Sequence, residues 1–394
     1  MSTIDTGQTG QPGQAGQPGQ TGQPRSYRLI DADTHVNEPP DLWTSRVASK
    51  YRERVPHMER FEQGDAWLGE GVSEPINFGF NASATLPRAD RTPWVRFEDI
   101  PAGGYDPAAR LKELDEDLID AAVFYPTPRL SHIVIANQDP ELHLAMVRAY
   151  NDWLIDYCAF EPSRLGAIVL LPNRGIEQAL AEIERVAHRT GVTGALMGCY
   201  PHGDTDLVEE DDRVFHALAE AGLPLHVHVG LVNEFPVDSY APGRMTAGRA
   251  AGDLRFMQAV PVLVQFLNSG VLDRVPALPI VFVEVDAGWV PYIKEQMDNR
   301  WRRRATGAKA RFAKLPSEYI EERFYFTYIT DQYAIANRHR IGVDRLMWSS
   351  DFPHSGSDWP NSWRTIDANF ADVPRVERDA ILAGNAQRLY GFGR

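Results

Sequence analysis

The chain has 394 residues, of which 43% are hydrophobic and 10% aromatic, so it is long enough to bury a sizeable core. The 54 acidic and 40 basic residues give a formal net charge of -14, which argues against a nucleic-acid partner because binding phosphates requires a basic face. Only two cysteines are present, and neither a secretory signal nor an apolar run long enough to cross a membrane is found. We therefore expect a cytoplasmic protein with no disulfide framework and no membrane contact.

Residues 1–25 repeat Gly, Gln, Pro and Thr and contain almost nothing that a core would bury. This composition predicts a disordered tail without a catalytic role. We assign residues 26–394 to a single metal-dependent domain.

The first predicted strand, Leu29 to His35, is apolar and ends in polar residues. Side chains two apart share a face of a strand, so Asp33 and His35 point the same way. From about residue 39 to 106 no clear helix follows, but tryptophans and phenylalanines are scattered along the segment. A connection of this length is usually functional, and we interpret it as an inserted cap over the site. A surface elaboration with its own small core is a compatible alternative.

From about residue 107 the chain alternates between helical patterns and short apolar strands. Together with the first, the predicted strands are 29–35, 121–125, 165–171, 193–197, 223–228, 279–284, 324–330 and 345–351. Apolar strands that alternate with helices indicate a parallel sheet covered by helices, and eight such units predict an α/β fold of the (β/α)8 TIM barrel type. An open doubly wound sheet is disfavoured because no Gly-x-Gly-x-x-Gly follows the first strand. A second long insertion is predicted from Gly230 to about Gly252.

In such a barrel, residues at the C-terminal ends of the strands form the active site. The candidates at strand ends are Asp33, His35, His228, Glu284 and Asp351. Imidazole and carboxylate groups together suit a divalent transition metal such as zinc, iron or manganese, as one or two ions. His226 shares the face of His228 but lies deeper, so it is interpreted as a supporting or core histidine.

The roles of the remaining candidates stay open at this point. Glu284 ends an apolar strand and needs a partner for its charge, either a metal or an arginine, and a structural ion pair is an equal alternative. Asp351 is interpreted as a metal ligand, a general base, or both. His354, three residues later, either orients the substrate or holds the loop.

Several short motifs resemble the amidohydrolase superfamily, in the branch that includes the resorcylate and aminocarboxymuconate-semialdehyde decarboxylases. The resemblance covers about residues 27–392, and it depends on the order and spacing of the motifs together. The motifs are Asp31-Ala32-Asp33-Thr34-His35, Leu225-His226-Val227-His228, Glu284 through Gly288-Trp289-Val290-Pro291, Leu315-Pro316-Ser317-Glu318-Tyr319, Ser350-Asp351-Phe352-Pro353-His354 and Gly384-Asn385-Ala386-Gln387-Arg388-Leu389-Tyr390-Gly391.

The resemblance implies that Asp33, His35, His228 and Asp351 are metal ligands, and that the protein forms a homodimer. Two departures matter. Many members carry His-x-His on the first strand, where this chain has Asp-x-His. Strand six of relatives usually ends in a histidine, and here Glu284 takes its place. This difference removes an expected proton donor, so it favours hydrolysis over decarboxylation.

The leading functional prediction is a metal-dependent hydrolase of an amide, ester or thioester bond in a small apolar or aromatic acid substrate. The aromatic residues of the cap suggest the apolar or aromatic part of that substrate. The metal would activate a water molecule, with Asp351, Glu284 and His354 as catalytic residues. A basic run, Arg300, Arg302, Arg303, Arg304, Lys309 and Arg311, either holds an anionic handle such as coenzyme A or forms a solvated helix face. The alternative function is a metal-dependent, non-oxidative decarboxylase of an aromatic or enol acid. A barrel that binds a ligand without turnover is the third possibility.

Overall fold

Eight parallel strands form the centre of the molecule. The computed structural model describes residues 27–229, 254, 256–303 and 313–393. The strands in chain order are β1 (Ile30–His35), β2 (His57–Arg60), β3 (Asp65–Leu68), β4 (Ile76–Asn77), β5 (Ala121–Tyr125), β6 (Leu165–Leu170), β7 (Val192–Leu196), β8 (Leu225–His228), β9 (Ile280–Val283), β10 (Phe324–Tyr328) and β11 (Leu346–Trp348). Strand β1 and strands β5 to β11 pair in this order, each parallel to its neighbour. The predicted (β/α)8 barrel is confirmed.

The barrel closes between its last strand, β11, and its first strand, β1. The Asp351 amide donates to the Asp33 carbonyl at 3.0 Å, and the His35 amide donates to the Phe352 carbonyl at 2.7 Å. The closing seam therefore runs through residues that were predicted to form the site. Its backbone hydrogen bonds fix the separation of β1 and β11 at their C-terminal ends.

Helices surround the barrel and follow most of its strands. They are α1 (Leu42–Arg46), α2 (Pro107–Glu116), α3 (Pro128–Ala136), α4 (Pro140–Cys158), α5 (Ile176–Val186), α6 (Asp212–Glu220), α7 (Phe256–Ser269), α8 (Val271–Arg274), α9 (Val290–Arg303), α10 (Pro316–Arg323), α11 (Gln332–Ala336), α12 (Arg338–Ile341), α13 (Ser362–Asn369), α14 (Arg375–Asp379) and α15 (Asn385–Tyr390). Helix α3, which is nine residues long and begins at Pro128, was not predicted. Asp139 caps α4 by accepting from two backbone amides, as its position before Pro140 favours.

The segment between β1 and α2 contains α1, short 3₁₀ turns and the antiparallel sheet β2-β3-β4. Trp43, Trp67 and Phe78 are buried, and the rings of Trp43 and Trp67 meet edge to face with centroids 5.8 Å apart. The Trp43 indole donates to the carbonyl of Met146 in α4 at 3.0 Å. These aromatic side chains therefore pack the cap against the barrel. They do not support the apolar substrate that the sequence analysis inferred from them.

Three predictions fall outside the described residues: the disordered tail at 1–25, the insertion from Gly230 to about Gly252, and the part of the basic run that includes Arg304, Lys309 and Arg311. Among the described helices, none combines the length and the apolar character that crossing a bilayer requires. The homodimer and the cytoplasmic location stay predictions.

Candidate metal centre

Side chains from β1, β8 and the segments after β9 and β11 converge at the C-terminal mouth of the barrel. Nε2 of His35 lies 3.5 Å from Asp33 Oδ1 and 3.4 Å from Asp351 Oδ1. Nε2 of His228 lies 3.4 Å from the same Asp33 oxygen and 3.8 Å from Glu284 Oε2. All five side chains are buried. Two imidazoles and three carboxylates thus gather at the mouth of the barrel, and these residue types are suitable donors for a divalent cation.

Both histidines are oriented by the backbone at their other ring nitrogen. His35 Nδ1 is 2.9 Å from the Pro126 carbonyl, and His228 Nδ1 is 2.7 Å from the Val229 carbonyl. A carbonyl only accepts, so Nδ1 carries a proton in each ring, and in the neutral form of the ring Nε2 presents its lone pair to the centre. Within the described residues, these Nε2 atoms and both oxygens of Asp33 are buried without a hydrogen-bond partner. A bound cation would satisfy them all.

The electrostatics of the cluster fit a site that exchanges protons for a cation. Burial lowers the pKa of His35 well below its ordinary value. Burial also raises the pKa of Asp33, although the neighbouring His228 opposes that shift. Burial works against a charge on His228, but Asp33 and Glu284 outweigh it and raise the pKa of His228 to about 9. Without a cation the centre therefore retains protons, and metal binding would release them.

Glu284 enters the cluster through an uncommon backbone conformation. It follows β9 directly with φ of 58°, in the left-handed region that non-glycine residues rarely adopt. Its amide donates to Thr327 Oγ1 of β10 at 2.8 Å, which holds this turn. Asp351, after β11, has a similar φ of 56°. Such strain is concentrated at functional sites, and here it turns two carboxylates into the barrel mouth.

His354 lies beside the cluster and joins it to the cap. Its Nδ1 is 2.7 Å from Asp351 Oδ1, and its ring stacks on His35 with centroids 4.0 Å apart. Its Nε2 is 3.1 Å from Nδ2 of Asn81, a cap residue. Burial opposes a charge on His354, but the Asp351 carboxylate outweighs it and raises the pKa of His354.

Two further buried groups support β1 and were not singled out in the sequence. Asp31 accepts from the Ser350 amide at 2.8 Å and from the Ser350 hydroxyl, which ties β1 to β11. Arg110 of α2 is fully buried and donates to the carbonyl of His35. Its guanidinium also lies 4.7 Å from the centroid of the Phe352 ring. Both groups fix the backbone that carries the cluster.

The structure brings together every residue that the sequence analysis proposed for the site. Asp33, His35, His228 and Glu284 form one group that can hold a metal, and His35, Asp351 and His354 form a second, overlapping group. His226 lies outside both groups, as predicted. Its Nδ1 is 2.7 Å from the Tyr125 hydroxyl, deeper in the barrel. Asn81 was missed because its contact with His354 spans 273 residues and no local pattern marks it.

A comparison with known families identifies the fold. The amidohydrolase family model matches residues 30–392, which is nearly all of the described chain. The chain belongs to the amidohydrolase family. The resemblance found in the sequence motifs is therefore confirmed, although the roles of individual side chains are not tested by this match.

The relatives of this amidohydrolase include decarboxylases. The gamma-resorcylate decarboxylase of Polaromonas sp. (strain JS666 / ATCC BAA-500) is 28% identical over 256 residues, 63% of this chain and 76% of the relative. The 2-amino-3-carboxymuconate-6-semialdehyde decarboxylase of Dictyostelium discoideum is 20% identical over 303 residues, 75% of this chain and 79% of the relative.

Solved structures share the fold of this amidohydrolase. An amidohydrolase from Mycobacterium avium subsp. paratuberculosis K-10 matches with a TM-score of 0.73 and 21% identity, covering 93% of this chain and 100% of that chain. The dihydroxybenzoic acid decarboxylase from Polaromonas sp. JS666 matches with a TM-score of 0.62 and 19% identity, covering 94% of this chain and 98% of that chain. That structure has bound manganese and the inhibitor 2-nitroresorcinol.

The leading prediction of a hydrolase is wrong, because the relatives are decarboxylases. These relatives agree with the alternative prediction, a non-oxidative decarboxylase. The error has a physical reason: a buried group of imidazoles and carboxylates holds a cation equally well for hydrolysis and for decarboxylation. The thioester substrate has no support either. Of the three metals predicted, zinc, iron and manganese, the matched decarboxylase structure contains manganese.

The crowding of buried carboxylates leads to a prediction about stability. The carboxylates of Asp33, Glu284 and Asp351 are all buried at the mouth of the barrel, so a cation should stabilise the folded state. At a free concentration of 100 times Kd, Mn2+ should add about 2.7 kcal/mol to the free energy of unfolding. Thermal unfolding of chelator-treated protein, with and without Mn2+, measures this. An unchanged Tm at millimolar Mn2+ would contradict a metal centre.

Proposed function

We propose that this amidohydrolase is a metal-dependent, non-oxidative decarboxylase of a hydroxylated aromatic carboxylic acid. The observation that carries the proposal is the buried convergence of His35 Nε2, His228 Nε2 and the Asp33 carboxylate, none with a hydrogen-bond partner in the described chain. The gamma-resorcylate decarboxylases among its relatives support the choice of reaction.

The residues that would hold the metal are Asp33, His35, His228 and Asp351. We propose Mn2+ as the ion, because carboxylate donors suit it and the dihydroxybenzoic acid decarboxylase that shares the fold has bound manganese. When bound, the metal would supply positive charge for the oxygen atoms of the acid substrate. The burial of the four ligands would keep bulk water away from that charge.

The reaction needs one proton at the ring carbon that loses carbon dioxide: the carboxylate and a proton give the ring C–H and CO2. We propose Glu284 as the residue that holds this proton. Its side chain lies at the mouth of the barrel, 3.8 Å from His228 Nε2, and the residue is 8% exposed. The proton comes from solvent between turnovers, so no oxidant or reductant takes part.

Asp351 and His354 would keep the charge distribution of the centre fixed while Glu284 transfers its proton. Nδ1 of His354 faces Asp351 Oδ1 at 2.7 Å, and the parallel ring of His35 restricts rotation of His354. A preorganised arrangement of this kind avoids reorganisation during the reaction.

A substrate panel tests the proposal. Mn2+-loaded protein is incubated with 2,6-dihydroxybenzoate, 5-carboxyvanillate and related hydroxybenzoates, and in parallel with aryl esters, anilides and acyl thioesters. We expect CO2 and the corresponding phenol in equal amounts from at least one hydroxybenzoate, with no hydrolysis of the second group. Hydrolytic turnover without CO2 release, or no CO2 from any hydroxy acid, would contradict the proposal.

A further inference from the structure

The C-terminal end of helix α3 is fixed to the segment that follows β6. The carbonyl of Ile135, the next-to-last residue of α3, accepts from Arg174 Nη2 at 2.8 Å and from Asn173 Nδ2 at 3.3 Å. Arg174 Nε also donates to the carbonyl of Asn137, just beyond the helix, at 2.7 Å. These hydrogen bonds hold the Ile135 backbone over the C-terminal face of the barrel.

Gly198, two residues beyond β7, leaves room for the Ile135 side chain. A Cβ atom at Gly198 would lie 2.7 Å from Cγ1 and 2.9 Å from Cγ2 of Ile135, and closer still to Cδ1. Nonbonded carbon atoms prefer a separation of about 3.5 to 4.0 Å, so any larger residue at this position would displace Ile135. Ile135 is half-buried, and part of its side chain remains exposed at this face of the barrel.

The strand register places Gly198 beside His228. Leu196 of β7 pairs with His226 of β8, and the Met197 amide donates to the His226 carbonyl at 3.0 Å. Continued to Gly198, the same register reaches His228, which is one strand spacing of about 4.8 Å away. Gly198 therefore lies next to a residue of the metal-binding cluster.

Gly198 is also on the inner face of β7. A Cβ atom at Gly194 would lie 2.6 Å from Nε2 of the buried His226, so Gly194 faces the barrel interior. Residues two apart share a face of a strand, which gives Gly198 the same direction as Gly194. The Ile135 side chain, in contact with Gly198, therefore borders the mouth of the barrel rather than its outer surface.

The metal-binding cluster leaves this part of the mouth to the substrate. Its residues come from β1, β8 and the segments after β9 and β11, which together with β10 form one continuous side of the closed barrel. The ends of β5, β6 and β7 form the rest of the rim. An aromatic acid whose oxygen atoms face the cluster extends over these ends, and an apolar side chain such as Ile135 suits its ring.

We propose that Ile135 is a specificity-determining residue: its side chain forms the apolar wall of the substrate pocket beside β7 and restricts the pocket to acids with a single aromatic ring. Gly198 is the residue that allows Ile135 to take this place. The inference rests on the proposed function for its class of ligand, a hydroxylated aromatic acid.

Two nitrophenols measure the width of the pocket without turnover. 2-Nitrophenol and 1-nitro-2-naphthol keep the ring hydroxyl and carry a nitro group in place of the carboxylate, so they cannot lose CO2. Both compounds absorb near the visible range, and titration of Mn2+-loaded protein followed by absorbance gives a Kd for each. The ratio of the two Kd values reports how well the second ring is accepted.

Truncation of Ile135 should widen the pocket. One methylene group in an apolar pocket changes affinity by about 10-fold or more, so Ile135→Ala should shift the Kd ratio in favour of 1-nitro-2-naphthol by at least about 10-fold. Ile135→Val, which removes a single methyl group and keeps the branched shape, should shift the ratio in the same direction by less. This smaller change disturbs the fold least and decides the matter if Ile135→Ala does not fold.

Ile133 provides the matched control. It lies in the same helix, two residues earlier, and its side chain is buried in the core. Ile133→Ala should lower stability but leave the Kd ratio unchanged, because the residue does not border the mouth. If Ile135 only packed α3 against the barrel, Ile135→Ala would behave in the same way as Ile133→Ala.

Gly198→Ala gives an independent test of the contact. The added methyl group should push Ile135 into the mouth and weaken the binding of both nitrophenols. In the double variant Gly198→Ala/Ile135→Ala the added methyl group has space, so the affinity for 2-nitrophenol should recover relative to Gly198→Ala alone. Such non-additivity is expected for residues in contact and not for distant ones.

An unchanged Kd ratio in both Ile135→Ala and Ile135→Val would overturn the inference, even if the wild-type protein decarboxylates a hydroxybenzoate. Failure of the proposed function is a separate result. In that case no hydroxy acid releases CO2, while a shifted ratio for the nitrophenols still identifies Ile135 as the wall of the pocket.

Discussion

Substituting His228 with alanine should give a protein that retains less than about a tenth of a metal ion per chain and releases CO2 at least about 10³-fold more slowly than the wild type. His228 supplies one of two imidazoles in the cluster, and its Nε2 lies between Asp33 and Glu284 at 3.4 and 3.8 Å. Without it, two buried carboxylates face each other and the remaining donors no longer surround the ion. Elemental analysis and the CO2 assay measure both effects.

His226 offers a matched control for this experiment. It lies on the same strand and the same face as His228, but its Nδ1 contacts the Tyr125 hydroxyl and it belongs to neither metal-binding group. His226→Gln should keep wild-type metal stoichiometry even where it lowers stability. If His228→Ala binds metal as well as the wild type does, the cluster is not the metal centre.

Substituting Glu284 with glutamine should lower kcat by about 10² to 10⁴, the range expected for loss of a positioned general acid, while metal content stays within about twofold of wild type. The amide has the shape of the carboxyl group but cannot donate the proton that the ring carbon requires. Steady-state CO2 release and elemental analysis on the same preparation separate the two properties.

A second substitution decides between the two roles considered for Glu284. Glu284→Ala should also keep one metal ion per chain if the residue is a proton donor. Metal loss in Glu284→Ala would make it a ligand, and unchanged kcat in Glu284→Gln would exclude it as the proton donor.

The fold and the centre of the site were predictable because both depend on local patterns. Alternation along β1 places Asp33 and His35 on one face, and the same rule applies to His226 and His228 on β8. Once eight apolar strands alternate with helices, the C-terminal strand ends must meet, and the residues there converge without any knowledge of long-range contacts.

The supporting contacts were not predictable, because they join residues that lie far apart in the sequence. Asn81 reaches His354 across 273 positions, and Arg110 reaches the His35 carbonyl across 75. Neither residue type is unusual in its local sequence, and only the folded chain brings the partners together. Trp43 and Trp67 could not be assigned from the sequence for the same reason. Their presence in the cap suggested an apolar substrate, but their rings pack edge to face in the core.

The reaction was predicted wrongly because Glu284 was given too much weight. A glutamate where relatives have a histidine was taken to remove the proton donor and to favour hydrolysis. The position of Glu284, buried and directed into the cluster by its left-handed backbone, is equally suited to holding a proton. The same substitution therefore fits a decarboxylase that uses a carboxyl group as the acid.

The most direct test of a metal-dependent decarboxylase is CO2 release in D2O from 2,6-dihydroxybenzoate and the other hydroxybenzoates, with chelator-treated protein and with the same protein reloaded with Mn2+. The account predicts CO2 only after reloading, with one deuterium in the phenol at the carbon that carried the carboxylate. Equal CO2 release before and after metal removal would contradict it, as would consumption of the panel without CO2.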